Sequence, residues 1–231
     1  MHHPIRVHRA FSGRNALRLA SASCAFALLG CASTPSGSMG SSNGSGTVDG
    51  SSSAQSGSNP GNGGAAAMLA AWPAKQRESG MMLVAKYGAP NVAGDQVMIW
   101  YNKGPYKKIE LARTEVMHNF PMPHPDYLTA TVMHTVPTDK VDDLAQYDGS
   151  VWFHRTRGEL SAQCDKEEAN NLALNLAHEI ATGRRTVADA RAFYAKTAMA
   201  LMAGDKSSPY LSGIMFQQEP NAADADMAMK M

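Results

Sequence analysis

"VWFHRTRGELSAQCDKEEANNLALNLAHEI", residues 151–180, carries both of the periods from which a fold class is read. Its first half alternates. Val151 and Phe153 lie on one side of Trp152 and His154, and after Arg157-Gly158 the residues Leu160, Ala162 and Cys164 alternate with Glu159, Ser161 and Gln163. A period of two, broken by a glycine turn, describes a β-hairpin with one apolar side. A two-residue Arg157-Gly158 loop predicts pairing of Val151 with Cys164, Phe153 with Ala162 and Arg155 with Leu160. The second half changes period. Asp165 with Glu168 makes a capping-box pattern, and Ala169, Leu172, Ala173, Leu176, Ala177 and Ile180 recur at helical spacing as far as Gly183.

Downstream, Thr186 with Asp189 caps a second helix with Val187, Ala190, Tyr194, Ala198 and Leu201 inward, and the short link makes the two helices an antiparallel pair. The segment Tyr210–Phe216 reads as a short edge strand. Upstream, "LTATVMHTV" (128–136) sets Leu128, Ala130, Val132, His134 and Val136 on a core face against Thr129, Thr131, Met133 and Thr135. Residues 107–117 and "QVMIWY" (96–101) read as further strands, joined by the turn "NKGP". A first helix runs from Pro73 to Gly88, interrupted by Gly80, and a short one from Asp139 to Tyr147 behind Thr138 as its N-cap. The order α-β-β-β-α-β-β-α-α predicts an α+β fold: an antiparallel sheet of about five strands with a C-terminal antiparallel helix pair packed on one face.

The ends of the chain carry a different signal. Residues 1–30 hold four arginines and no acid, and lead into "CAFALLG" and Cys31. A basic segment followed by a short apolar run describes an export signal, and the run is shorter than the roughly 20 residues that span a bilayer. Leu28-Leu29-Gly30-Cys31 resembles the lipobox of bacterial lipoproteins. The resemblance implies cleavage before Cys31 by signal peptidase II, diacylation of that cysteine and attachment to the bilayer. Ala32 behind it resembles the sorting signal for the outer membrane of Gram-negative bacteria, facing the periplasm. Residues 31–66 then form a lipidated cysteine and a Gly/Ser-rich tether expected to be disordered. Residues 67–216 make a single domain, and 217–231 form a tail expected to fray.

The full chain carries +1, and loss of the four arginines leaves −3. A mildly acidic, exported protein lacks the basic footprint of a nucleic-acid binder. Of three cysteines, Cys24 leaves with the signal and Cys31 takes lipid, so Cys164 has no intramolecular partner and no disulfide framework forms.

Candidate chemistry centres on "HNFPMPHPD" (118–126), where His118, His124 and Asp126 offer two imidazoles and a carboxylate to zinc. Met117, His118, Met122, His124, Met133 and His134, with Met227, Met229 and Met231 in the tail, resemble the methionine motifs of periplasmic copper proteins, and thioether with imidazole suits Cu(I). Cys164 precedes a helix, where it reads either as a nucleophile with His134 or His154 as base or as a buried, inert thiol. His134 reads as a hydrogen-bonded core residue. His154, Ser161 and Glu159 share the polar side of the hairpin. No serine elbow, P-loop or His-Glu-x-x-His pattern occurs. The expectation is therefore a lipid-anchored domain that binds a small molecule or an envelope protein through the polar sheet face and the 118–126 loop. The alternatives are an envelope zinc or copper protein and a Cys- or metal-dependent hydrolase.

Overall fold

The longest ladder joins β3 (Tyr106–His118) to β4 (His124–Met133), and the sheet grows outward from it. The computed structural model describes residues 60–231; the leader, Cys31 and residues 32–59 of the tether lie outside the described residues. The sheet has six strands in the order β1-β2-β3-β4-β6-β5, with β1 Val92–Ala93, β2 Val97–Lys103, β5 Val151–His154 and β6 Glu159–Cys164. Every neighbouring pair is antiparallel. The α+β class and the antiparallel sheet hold, with one strand more than expected.

Alternation decides what each strand buries. Met98 and Trp100 of β2, Ile109 and Leu111 of β3, Leu128, Ala130 and Val132 of β4, and Leu160 and Ala162 of β6 are all buried. Against this face lies α4 (Glu167–Ala181), where Leu172, Leu174, Leu176, Ala177 and Ile180 are buried. Asn170, Asn171 and Asn175 of α4 are buried as well. Asn175 Nδ2 donates to Gly213 O at 2.8 Å, Asn171 Nδ2 to Leu211 O at 3.1 Å, and Met215 N donates to Asn175 Oδ1 at 2.8 Å. These amides hold the segment after α5 (Val187–Met202) against α4, so that segment folds as the short helix α6 (Pro209–Ser212) and not as the expected edge strand.

The hairpin forms with a different turn. Arg155–Arg157 make one turn of 3-10 helix, and Gly158 follows at φ 62°. Val151 thereby pairs with Ala162 and Phe153 with Leu160, two residues from the expected register. A shift of two keeps each side chain on its own face. The capping box at Asp165 does not form: Lys166 is the N-cap of α4, without a side-chain cap bond. The Thr186 cap does form, its hydroxyl accepting from Asp189 N at 3.1 Å. Thr138–Lys140 wind as a 3-10 turn before α3 (Val141–Tyr147), so Thr138 does not cap it.

Residues 60–66, expected in the tether, belong to α1 (Pro60–Leu69), which docks on α2 (Ala74–Tyr87) through buried Ala65 and Leu69. Gly80 has its reason here. A Cβ at that position would stand 2.5 Å from Leu69 Cδ2 and 3.0 Å from Leu111 Cδ2. At the other end, the segment expected to fray lies along the domain: Met133 N donates to Gln218 Oε1 at 2.9 Å, and Arg155 pairs with Asp224 at 2.6 Å and with Asp226. No helix among the described residues is long and apolar enough to cross a membrane.

Candidate metal centre

The stretch 118–126 is a tight hairpin whose ends are strands. His118 ends β3, His124 begins β4, and the two stand directly opposite in the ladder. His124 and Asp126 are two residues apart on one strand and therefore share a face. Phe120 anchors the connection: its ring packs on Tyr194 with centroids 5.3 Å apart, and the Arg191 guanidinium lies over the ring, 3.8 Å from its centroid. Arg191 is itself held by Tyr147 O at 2.5 Å, and cation–π contact with a partly desolvated ring is a favourable link. The Phe120-Pro121 bond is cis.

Three residues named from sequence converge here. Ligand atoms of His118, His124 and Asp126 all lie within 4.8 Å of one another. His124 Nε2 is 3.2 Å from Asp126 Oδ1, and His118 Nδ1 is 3.3 Å from Asp126 Oδ2. Two ligand atoms on a tetrahedral zinc, each at about 2.0–2.1 Å, are separated by roughly 3.3 Å. The spacing fits.

Each of the three also has a supporting contact on its other polar atom. His124 Nδ1 donates to Met122 O at 2.8 Å, His118 Nε2 faces Asp148 Oδ1 at 3.5 Å, and Ser150 Oγ donates to Asp126 Oδ2 at 2.5 Å. A hydrogen bond at one ring nitrogen fixes which nitrogen keeps its lone pair. The atoms left over are His118 Nδ1, His124 Nε2 and Asp126 Oδ1, and all three are buried without a hydrogen-bond partner. Buried polar atoms are nearly always paired. Asp126 and Asp148 are only 2% and 3% exposed.

The electrostatics follow from these contacts. The Asp126 carboxylate, and after it the neighbouring Cys164 sulfur, push the His124 imidazole up to about 11. Burial raises Asp148, opposed by the Ser150 backbone N–H and by His118. Burial also raises the Cys164 thiol.

Asp148 and Ser150 carry no sequence signal for a site. They belong to the turn before β5, where Ser150 N donates to Asp148 Oδ1 at 2.8 Å, and "DGS" reads only as a turn. The other candidates lie elsewhere. Ser161 is buried and bonds Thr131 Oγ1 at 2.9 Å, so it does not face solvent with His154 and Glu159. His154 Nδ1 accepts from Arg157 N at 3.3 Å, and Glu159 pairs with Arg157 at 3.8 Å. His134 is a core residue, its Nε2 at 2.6 Å from His178 Nδ1. The soft-donor set is dispersed: Met117 is exposed, and Met133 and His134 sit at the far end of β4. Cys164 is buried, with Asp165 Oδ1 as its bonding partner at 3.6 Å. The histidine beside it is His124, not His134 or His154, and both nitrogens of His124 are directed at Met122 and Asp126. Compared with known protein families, with curated proteins and with solved structures, the chain matches none.

Proposed function

We propose that this chain is a lipid-anchored protein of the cell envelope whose domain binds a divalent metal ion, zinc, through His118, His124 and Asp126. One observation carries the metal reading: the three residues hold their second polar atoms on Met122, Asp148 and Ser150 and keep the three converging atoms bare. Nitrogen and carboxylate donors suit zinc, whereas Cu(I) selects sulfur. The anchor rests on Leu28–Cys31 and on the Gly/Ser-rich stretch behind it, which together support acylation of Cys31 and work at the outer membrane on the periplasmic side. A small-molecule or protein partner meets the domain at the 118–126 hairpin.

Zinc titration of the purified protein against a chromophoric chelator tests the metal. The expected result is one ion per chain, lost in both His124→Ala and Asp126→Ala. Folded protein that takes up no zinc, or variants that retain it, would end the reading. For the anchor, the mass of the native N-terminus is expected to correspond to acylated Cys31; an intact arginine-bearing leader would overturn it.

A further inference from the structure

We infer that the zinc ion is shut in behind the tip of the 118–126 hairpin, and that Phe120, with Arg191 over its ring, is the latch that sets how fast the ion enters and leaves. The inference rests on the zinc reading above and adds to it the route the ion takes.

The three converging atoms, His118 Nδ1, His124 Nε2 and Asp126 Oδ1, have essentially no surface open to solvent. An aqueous ion arrives with its shell of water, and in this conformation neither ion nor shell touches the ligands. Exchange therefore needs a local opening, and weakly tied segments open long before the whole fold does.

Two segments bring supporting groups to the site, and they are held differently. The turn 148–150 is tied through its backbone: Asp148 N donates to Leu144 O at 3.2 Å, Val151 N to Asp148 O at 3.1 Å and Gln163 N to Ser150 O at 2.9 Å. The hairpin tip, residues 119–123, makes no such backbone bond among the described residues. Pro121 and Pro123 have no N–H to offer, and Asn119 and Pro123 are exposed. Side chains hold the tip instead. Phe120 sits on Tyr194, which is 3% exposed and so a fixed wall, and under Arg191, which is fixed on Tyr147 O. The tip also governs a ligand directly, because Met122 O accepts the Nδ1 proton of His124 at 2.8 Å. Lifting Phe120 off α5 thus releases the His124 ring and uncovers its Nε2 in one movement.

A latch differs from an orienting group in what it changes. Opening is a step shared by entry and exit, so loosening the latch speeds both and leaves affinity little altered. Loss of an orienting group speeds exit alone and weakens affinity.

The test uses the purified full chain loaded with zinc and chased with excess chromophoric chelator, with uptake followed in stopped flow and affinity by competition. In the parent chain, release is expected to be slow and independent of chelator concentration. Phe120→Ala, which removes both ring contacts, is expected to speed release and uptake together by roughly tenfold to a hundredfold. Arg191→Gln leaves the ring on Tyr194 and is expected to give a smaller rise of the same kind; it carries the test if Phe120→Ala does not fold. Asp148→Asn is the contrast, with faster release, unchanged uptake and weaker affinity. Release that climbs in proportion to chelator would mean that the ion is reached in the closed fold, so no latch exists. Rates unchanged in both variants would move the opening elsewhere. Faster release with unchanged uptake would make Phe120 an orienting group for His124. A parent chain that takes up no zinc is a separate outcome, since it removes the metal reading and this inference with it.

Discussion

Asp126 and Asp148 are both buried carboxylates near His118, and they differ in what their oxygens touch. Asp126 keeps Oδ1 bare, while Asp148 uses Oδ1 on Ser150 N and on the far nitrogen of His118. On the proposed zinc reading, the first is a ligand and the second orients one. Loss of such an orienting carboxylate typically lowers metal affinity about 10–100-fold. Asp148→Asn is expected to show that loss in zinc competition titrations and to retain one site per chain, whereas Asp126→Asn removes the site. Half of this cluster was legible. His124 and Asp126 share a face because they are two apart on a strand, and His118 joins them once the hairpin closes opposite His124. Asp148 and Ser150 arrive from a turn more than twenty residues downstream, and no local pattern announces them. The reverse holds for Ser161: the hairpin register gave its face correctly, but the Thr131 hydroxyl across the ladder takes it out of any open site.

At the scale of elements, periodicity read the helices and strands well and their ends poorly. The helical spacing in α4 was plain, yet its Asp165–Glu168 cap was not used, because Asp165 bonds the Cys164 thiol and Glu168 pairs with Lys206 at 2.8 Å. The 155–158 turn missed its register for a related reason: the turn is tied to a segment distant in sequence. A Cβ on Gly158 would stand 2.3 Å from the Ala222 carbonyl carbon, and φ is 62°, in the left-handed region. Such a conformation costs a residue with a side chain about 1–2 kcal/mol before any clash. Gly158→Ala is expected to lower unfolding free energy by at least that amount and to expose residues 217–226 to protease earlier than the rest of the domain. Equal protease resistance of the variant would separate the turn from the segment it meets. Gly80 makes the same point within a helix. Alanine there gains about 1 kcal/mol of helix propensity, and the Cβ pressed against Leu69 and Leu111 costs about 1–3 kcal/mol. A net loss of stability in denaturant unfolding is the expected outcome.

The whole molecule is tied together where β4 ends. His134 Nδ1 donates to the Thr135 carbonyl, so its Nε2 accepts from His178 Nδ1 of α4 at 2.6 Å, and His178 stacks on Phe216 with ring centroids 4.2 Å apart. Burial, then the neighbouring His134 and Arg184, lower His178 to about 4, with Glu179 and Glu219 opposing. Burial lowers His134 also. Both imidazoles are thus held neutral in the fold. Protons bind the unfolded chain first, near the usual histidine value of about 6.5. The stability these groups contribute is complete above that pH, falls as pH drops, and is gone once His178 protonates in the fold near 4. Denaturant unfolding across this window is expected to show a shallower slope in His178→Gln than in the parent chain; identical slopes would exclude the pair as the cause. Only the His134 half of this closure was visible in sequence, as a hydrogen-bonded core residue; His178 looks like one more polar residue on a helix and Phe216 like part of a strand. The α+β class was visible, since it needs only the order of periods. The sheet's outermost strands, two residues in β1 and four in β5, have a consequence of their own. An incoming strand from another copy finds few free backbone groups at either border. Chains held side by side, as the proposed anchor would hold them, therefore have little template for growing a shared, fibril-like sheet.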